Sequence, residues 1–321
     1  MAEVKFDANS RVSLSNADAG SGNTVLGKLA GDAIGSGDNN NVFIGENVAD
    51  ANMTNAIENV AIGYGALSAL TEGDKNITIG YSAGEALTTG SENILIGDRT
   101  GDLATDAEGM VIIGSAAGTA SITNGANGLL AIGYGAGAAI TSGAGNTLVG
   151  YAAGDAITSG GNNTVLGRHA LGANTIGGDN VAIGTGALTT EDVGDRAVAV
   201  GTNALFSQNS DSDNEDSLNV GIGHAAGYYN VTGQNNTYIG GFAGTGASGQ
   251  SHSGNTGLGS RALQSVTTGA ANVVVGNQAG DTITDGGENV IVGDGAGQTT
   301  TSVAQAVIVG RGAAQNGNIT T

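Results

Sequence analysis

The residues that could carry chemistry are few and scattered. His169, His224 and His252 fall in different stretches of the chain, without metal-ligand spacing. Ser, His and Asp all occur, but no motif links them into a nucleophile, base and orienting acid. Cysteine is absent, which removes disulfides, thiolate nucleophiles and thiol metal sites. The densest acidic cluster is Ser210 to Ser217, reading SDSDNEDS, where Asp211, Asp213 and Glu215 alternate as in a calcium loop. The glycine expected at the sixth loop position and the distal bidentate glutamate are missing, so a solvated acidic loop is the expectation and those three residues are only weak metal candidates. Gly-x-Gly-x-x-Gly matches arise by chance at this glycine content, and none opens a helix. Tyr64 with Tyr81, and Tyr134 with Tyr151, recur at matching places and could stack on each other or on sugar rings. These residues point to a protein without catalysis, cofactor or metal.

Composition narrows the partners. The 321 residues carry 29 acidic and nine basic side chains, a net charge of −20. Nucleic-acid binding needs a basic footprint, and anionic membranes repel such a chain, so neither is expected. No apolar run reaches the length of a membrane helix, and no apolar stretch follows the first lysine as a signal peptide would require. The 60 glycines lack a period of three, which excludes a collagen helix. Hydrophobic content of 39% with only 3% aromatics calls for a thin core of Val, Ile, Leu and Ala.

The element that organises everything else is a five-residue segment that returns seventeen times: Asn, a β-branched residue, a variable residue, Ile/Leu/Val, then Gly. Asn59–Gly63 (NVAIG) and Asn289–Gly293 (NVIVG) are examples. Eleven of the sixteen intervals between closing glycines are 17 residues, and the others are 18, 18, 19, 22 and 19. A fixed short period with rare insertions is the signature of a solenoid. Seventeen residues are too few for a helical hairpin and suit a coil of short strands and tight turns. The expected fold is an all-β, parallel β-solenoid of about 17 coils over residues 21–321. Residues 1–20 fall outside the period and form an N-terminal cap or attachment segment, with Val4/Phe6 and Val12/Leu14 alternating like two short strands.

Alternation of side chains assigns a role to each column. The second and fourth residues are taken as the coil interior, because both are apolar or Thr throughout. The third then points outward: Val25, Phe43, Ala61, Thr78, Leu95, Ile112, Ala131, Leu148, Val165, Ala182, Tyr238, Val274, Ile291 and Ile308. That column carries no charge in any copy, and a strand apolar on both faces is buried on both. These residues are therefore the expected oligomer interface, covered by identical chains. The first residue, Asn in thirteen copies, reads as a ladder whose amides bond each other and the local backbone. An Ala three residues past the closing Gly, in fifteen copies, marks a tight inward corner, and the following Ile/Leu-Thr-x-Gly reads as a second strand with its exit turn.

Two stretches, Asn76–Gly84 (NITIGYSAG) and Asn146–Gly154 (NTLVGYAAG), resemble repeats of phage tail fibres and similar virion proteins. The wider Asn-x-Ala-Ile-Gly motif resembles the head domains of trimeric autotransporter adhesins. The resemblance spans about residues 21–316 and implies a left-handed parallel β-roll packed as a homotrimer. It implies a virion structural protein: a rigid fibre, spike or decoration used for attachment, joined to another virion protein at one end and displaying loops to a cell-surface glycan or receptor. The alternative expectation is an extracellular adhesin or self-assembling filament subunit at a bacterial surface. The shared motif is scaffold, so no binding residue carries over.

Overall fold

A computed structural model describes residues 11–13, 20–213 and 215–315. The chain divides into two compact units, residues 1–159 and 160–321. Unit 1 holds β1 (Arg11–Ser13), β2 (Thr24–Gly27), β3 (Val42–Ile44), β4 (Val60–Ile62), β5 (Ile77–Ile79), β6 (Ile94–Ile96), β7 (Val111–Ile113), β8 (Leu130–Ile132) and β9 (Thr147–Val149). Unit 2 holds β10 (Thr164–Leu166), β11 (Val181–Ile183), β12 (Val198–Val200), β13 (Val220–Ile222), β14 (Thr237–Ile239), β15 (Thr256–Leu258), β16 (Val273–Val275), β17 (Val290–Val292) and β18 (Val307–Val309). Both units are parallel β-solenoids, with eight coils from β2 to β9 and nine from β10 to β18. Within each unit, like positions of successive repeats pair: Ala61 lies on Thr78, and Ala182 on Ala199. β1 runs antiparallel along β2, on the edge away from β3, with Arg11 opposite Gly27. Val4, Phe6 and Leu14 lie outside the described residues.

Each coil contains one strand, not two. The Leu-Thr-x-Gly segment stacks without a ladder: the N–H groups of Thr71, Glu72 and Gly73 all donate to the single carbonyl of Thr88, at 2.9, 3.1 and 3.3 Å. Thr267, Thr268 and Gly269 repeat this on Thr284. Three consecutive donors converging on one acceptor require a turn, because a strand directs successive N–H groups to opposite edges.

Backbone handedness fixes the corners. In every coil the second and fourth residues past the closing Gly, and the residue before the strand's first position, have left-handed φ, as at Ser82, Gly84 and Lys75. The closing Gly itself sits at φ between +125° and +146°. A Cβ at Gly63 would strike the carbonyl of Gly80 one coil on, so backbone stacks directly on backbone there.

The two faces of the strand are the reverse of the sequence expectation. Val25, Phe43, Ala61, Thr78, Leu95, Ile112, Ala131, Leu148, Val165, Ala182, Tyr238, Val274, Ile291 and Ile308 fill the coil interior, and none is more than 3% exposed. They cannot meet another chain. The second and fourth residues face outward and are half-buried or exposed in every coil. The reason is the asparagine. Residues one and three share a face, and the Asn amide must lie inside to reach its own coil. Asn59 Nδ2 donates 2.9 Å to the Gly73 carbonyl, and its Oδ1 accepts from the Asn76 N–H (2.9 Å) and Nδ2 (3.0 Å). The expected ladder thus exists, and it holds the third residue inside with it. Met110, Ala197 and Ala306 each donate their N–H to the preceding Asn but cannot extend the amide chain.

The interior is packed by exchange of volume. Several large third residues have Gly six positions on: Leu95 with Gly101, Ile112 with Gly118, Leu148 with Gly154; Phe43, which has Ala49 there, packs instead against Gly31 of the coil before it. A Cβ at Gly118 would come within 2.8 Å of Ile112 Cδ1, and one at Gly154 within 2.9 Å of Leu148 Cδ2. In three of the four copies where the third residue is Ala, its partner is a buried Leu: Ala61 with Leu67, Ala182 with Leu188, Ala199 with Leu205; the fourth, Ala131, has Gly137 there, whose space Leu148 of the next coil fills. Tyr238, fully buried, lies between Gly221 and Gly257 on the adjoining strands and against Gly244 of its own coil. Such complementarity is the mark of a close-packed interior.

Candidate assembly face

In each unit the outward columns make an uncharged, aliphatic surface. Across seventeen strands their 34 positions are aliphatic except for five Thr, at 24, 147, 164, 237 and 256. No charge occurs among them. Ile77, Ile79, Leu166, Leu258, Val273 and Val290 are 36–49% exposed. The carboxylates lie elsewhere: Asp32, Asp50, Glu85, Asp102 and Asp281 occupy the turns. Desolvation raises the pKa of Asp50, Asp102 and Asp281 above the ordinary carboxylate value, and the neighbouring charges of Asp32 and Glu85 push the first two the same way. The uncharged sheet face and the acidic turns are separate surfaces.

Two columns border the sheet face. One is the residue before the Asn position, such as Glu58, Lys75 and Glu92; the other is the residue after the closing Gly, such as Tyr64, Tyr81 and Asp98. Tyr64 and Tyr81 stack with ring centroids 5.3 Å apart and planes 9° from parallel, and Tyr134 and Tyr151 do the same at 5.3 Å and 13°. All four remain about half exposed. Ladder stacking thus accounts for one side of these rings and leaves their edges in solvent.

The expected metal candidates do not form a site. The Glu215 carboxylate accepts the Asp211 N–H at 2.8 Å and the Gln234 side-chain amide, so its oxygens serve the loop's own backbone and a neighbouring coil. Asp216 is bonded by Arg196 at 2.6 Å. Among the described residues no group of three or more His, Cys, Asp or Glu is placed to hold a metal ion. No helix among them is long and apolar enough to cross a membrane. The histidines remain apart: His224 meets Phe242 edge-on at 5.0 Å, His169 occupies a left-handed corner, and His252 is buried in the core.

One further feature was not expected from the sequence. In successive coils of unit 2 the interior column opposite the strand, filled by Leu70, Leu87, Ile140 or Ile157 in unit 1, becomes Asn174, Glu191, Gln208 and Asn230, with His252 in the next coil. All are at most 2% exposed. Glu191 accepts the N–H groups of Gly194 (2.8 Å) and Ser210 (3.1 Å) and the Ser210 hydroxyl (3.2 Å). Gln208 Oε1 accepts Asn219 Nδ2 at 2.7 Å, and Asn230 Oδ1 accepts the His252 N–H at 3.1 Å. His252 Nδ1 lies 2.8 Å from the Tyr238 hydroxyl. Burial lowers the His252 pKa to about 4 and raises that of Tyr238. The break in the Ile/Leu-Thr-x-Gly column at 174, 191, 208 and 230 was the available signal.

No family model, curated protein or solved structure matches this chain.

Proposed function

We propose that this protein is a non-enzymatic structural subunit whose copies pack on their outward sheet faces, and that the assembly is a homotrimeric, left-handed β-roll serving as a fibre, spike or decoration of a virus particle. The observation that carries this reading is the uncharged aliphatic face. In unit 1 its sixteen positions hold only Val, Ile, Leu and two Thr, and a contiguous uncharged aliphatic patch of this length marks an interaction surface. A flat, repeating surface is best covered by another with the same rung spacing, which a second copy supplies.

The dimensions favour three. The five-residue repeated segment, strand plus flanking Asn and Gly, gives a face about 16 Å wide; three such faces around one axis hold each sheet ~5 Å from it, half the ~10 Å at which two sheets pack, whereas four would leave ~8 Å. The virion assignment rests on the resemblance to tail-fibre repeats, and the surface charge agrees with a protein that binds neither nucleic acid nor bilayer. The test is a variant carrying Ile79→Asp and Ile96→Asp, compared with Glu85→Lys in the turns. The outward pair is expected to convert the oligomer into a folded monomer with an unchanged β circular dichroism spectrum, while the turn variant stays assembled. Equal masses for the two variants would refute the assignment of this face.

A further inference from the structure

Four strands of unit 1 carry glycine at the border position that precedes the Asn column: Gly22, Gly109, Gly128 and Gly145. At Gly22 a Cβ would come within 2.5 Å of Asn40 Oδ1, but at Gly109 and Gly128 neither backbone nor space inside the chain demands glycine. Glu58, Lys75 and Glu92 hold the same place on sister coils at φ 60°, 57° and 61°, beside 65°, 75° and 68° for Gly109, Gly128 and Gly145. A Cβ on Gly109 or Gly128 would meet nothing within 4 Å. Any steric requirement for a bare backbone at those two positions therefore comes from outside the chain. On the opposite border of two of these same strands stand exposed tyrosines: Tyr134 closes the coil that Gly128 opens around β8, and Tyr151 the coil that Gly145 opens around β9. Ser115, a small residue, stands opposite Gly109 around β7.

We infer that unit 1 joins copies of this chain through a heterologous rim contact, in which Tyr134 and Tyr151 of one copy lie on the bare backbone at Gly128 and Gly145 of the next. The inference rests on the proposed packing of the sheet faces and specifies its geometry. Rotation about the stacking axis brings the two borders of one strand to the same level on neighbouring copies. The large ring of one copy then meets the missing side chain of the other at two successive rungs, continuous with the apolar face. Such a contact is head-to-tail around the axis and closes into a ring. The other borders are compatible. Glu58 and Lys75 come opposite Tyr64 and Tyr81, where a long side chain can lie along an aromatic ring. At β6 the pairing brings Glu92 near Asp98, and Lys75, 3.7 Å from Glu92, offsets that repulsion.

The absence of cysteine permits a direct test. The full chain is made with Gly128→Cys, with Tyr134→Cys, and with both, then oxidised and run on a non-reducing gel. The two positions flank one strand, separated by about 20 Å of extended chain, so they cannot close a disulfide within a copy. The double variant is expected to give covalent species that end at three chains, with neither single variant cross-linking. Dimers from either single variant would show a two-fold contact and overturn the inference, as would a double variant that is oligomeric by light scattering yet does not cross-link. In that last case the sheet-face packing stands and only the rim pairing fails. A double variant that is monomeric by light scattering, beside an unmodified chain that is also monomeric, would overturn both. As a second reading, Gly128→Leu is expected to weaken assembly at least tenfold, while lowering the melting temperature of the monomeric Ile79→Asp/Ile96→Asp background only by the small strain that φ +75° imposes on a non-glycine residue; an unchanged assembly would contradict the contact.

Discussion

The inward and outward columns of the repeated strand are equally apolar and behave in opposite ways. The inward residue ranges from Gly221 to Tyr238, and large changes are answered in the same or an adjoining coil, as Gly244 and Gly257 answer Tyr238 and Gly31 answers Phe43. The outward residues hardly vary: Val, Ile, Leu or Thr at every rung, with no compensation along the chain. A surface matched within the molecule can vary freely so long as its partner varies with it. A surface matched to something regular outside must itself stay regular. The contrast is therefore evidence about what each face touches.

The largest effect should come from breaking the inward matching. Tyr238→Ala removes a ring that occupies the space left by three glycines, and is expected to cost about 3–5 kcal/mol, read as a lowered denaturant midpoint. A loss under 1 kcal/mol would mean the neighbouring coils collapse into the gap. Next is pH. His252 is neutral in the folded state, with its pKa lowered to about 4, whereas the unfolded chain binds that proton near pH 6.5. The stability held above pH 6.5 should then fall as pH drops toward 4, by on the order of 3 kcal/mol, and level off below it. Melting curves from pH 8 to pH 4 check this, and His252→Asn should flatten the decline. Smaller again is Asn59→Ala. It strips acceptor and donor from one ladder rung, leaving the Asn76 backbone N–H unpaired, for about 1–3 kcal/mol. Met110 shows that the stack tolerates such a break.

Much of this fold could be read from residues alone. The period, the Asn ladder and the buried Ala corner follow from recurrence, because a residue that must be Asn or Ala in nearly every coil is meeting its own copy one rung away. The sidedness of the strand is in the sequence too. Constancy in the fourth column suggests burial, but the ladder, which requires Asn inside, implies that the third residue is inside as well. The exchange between Ala61 and Leu67, or Ile112 and Gly118, was the stronger sign of a packed interior. The supposed second strand failed because Thr-x-Gly fits a turn that gathers several N–H groups on one carbonyl as well as it fits a strand end. The polar interior of unit 2 is harder to foresee. Asn174, Glu191 and Gln208 look like surface residues until their neighbours show that the coil closes over them.

The central claim is that the outward columns meet copies of the same chain. Light scattering of the unmodified protein, across a hundredfold range of concentration, tests it most directly. The account predicts a particle of three times the 30.9 kDa chain mass that persists on dilution. A single-chain mass throughout that range, with the aliphatic face left in water, would contradict it.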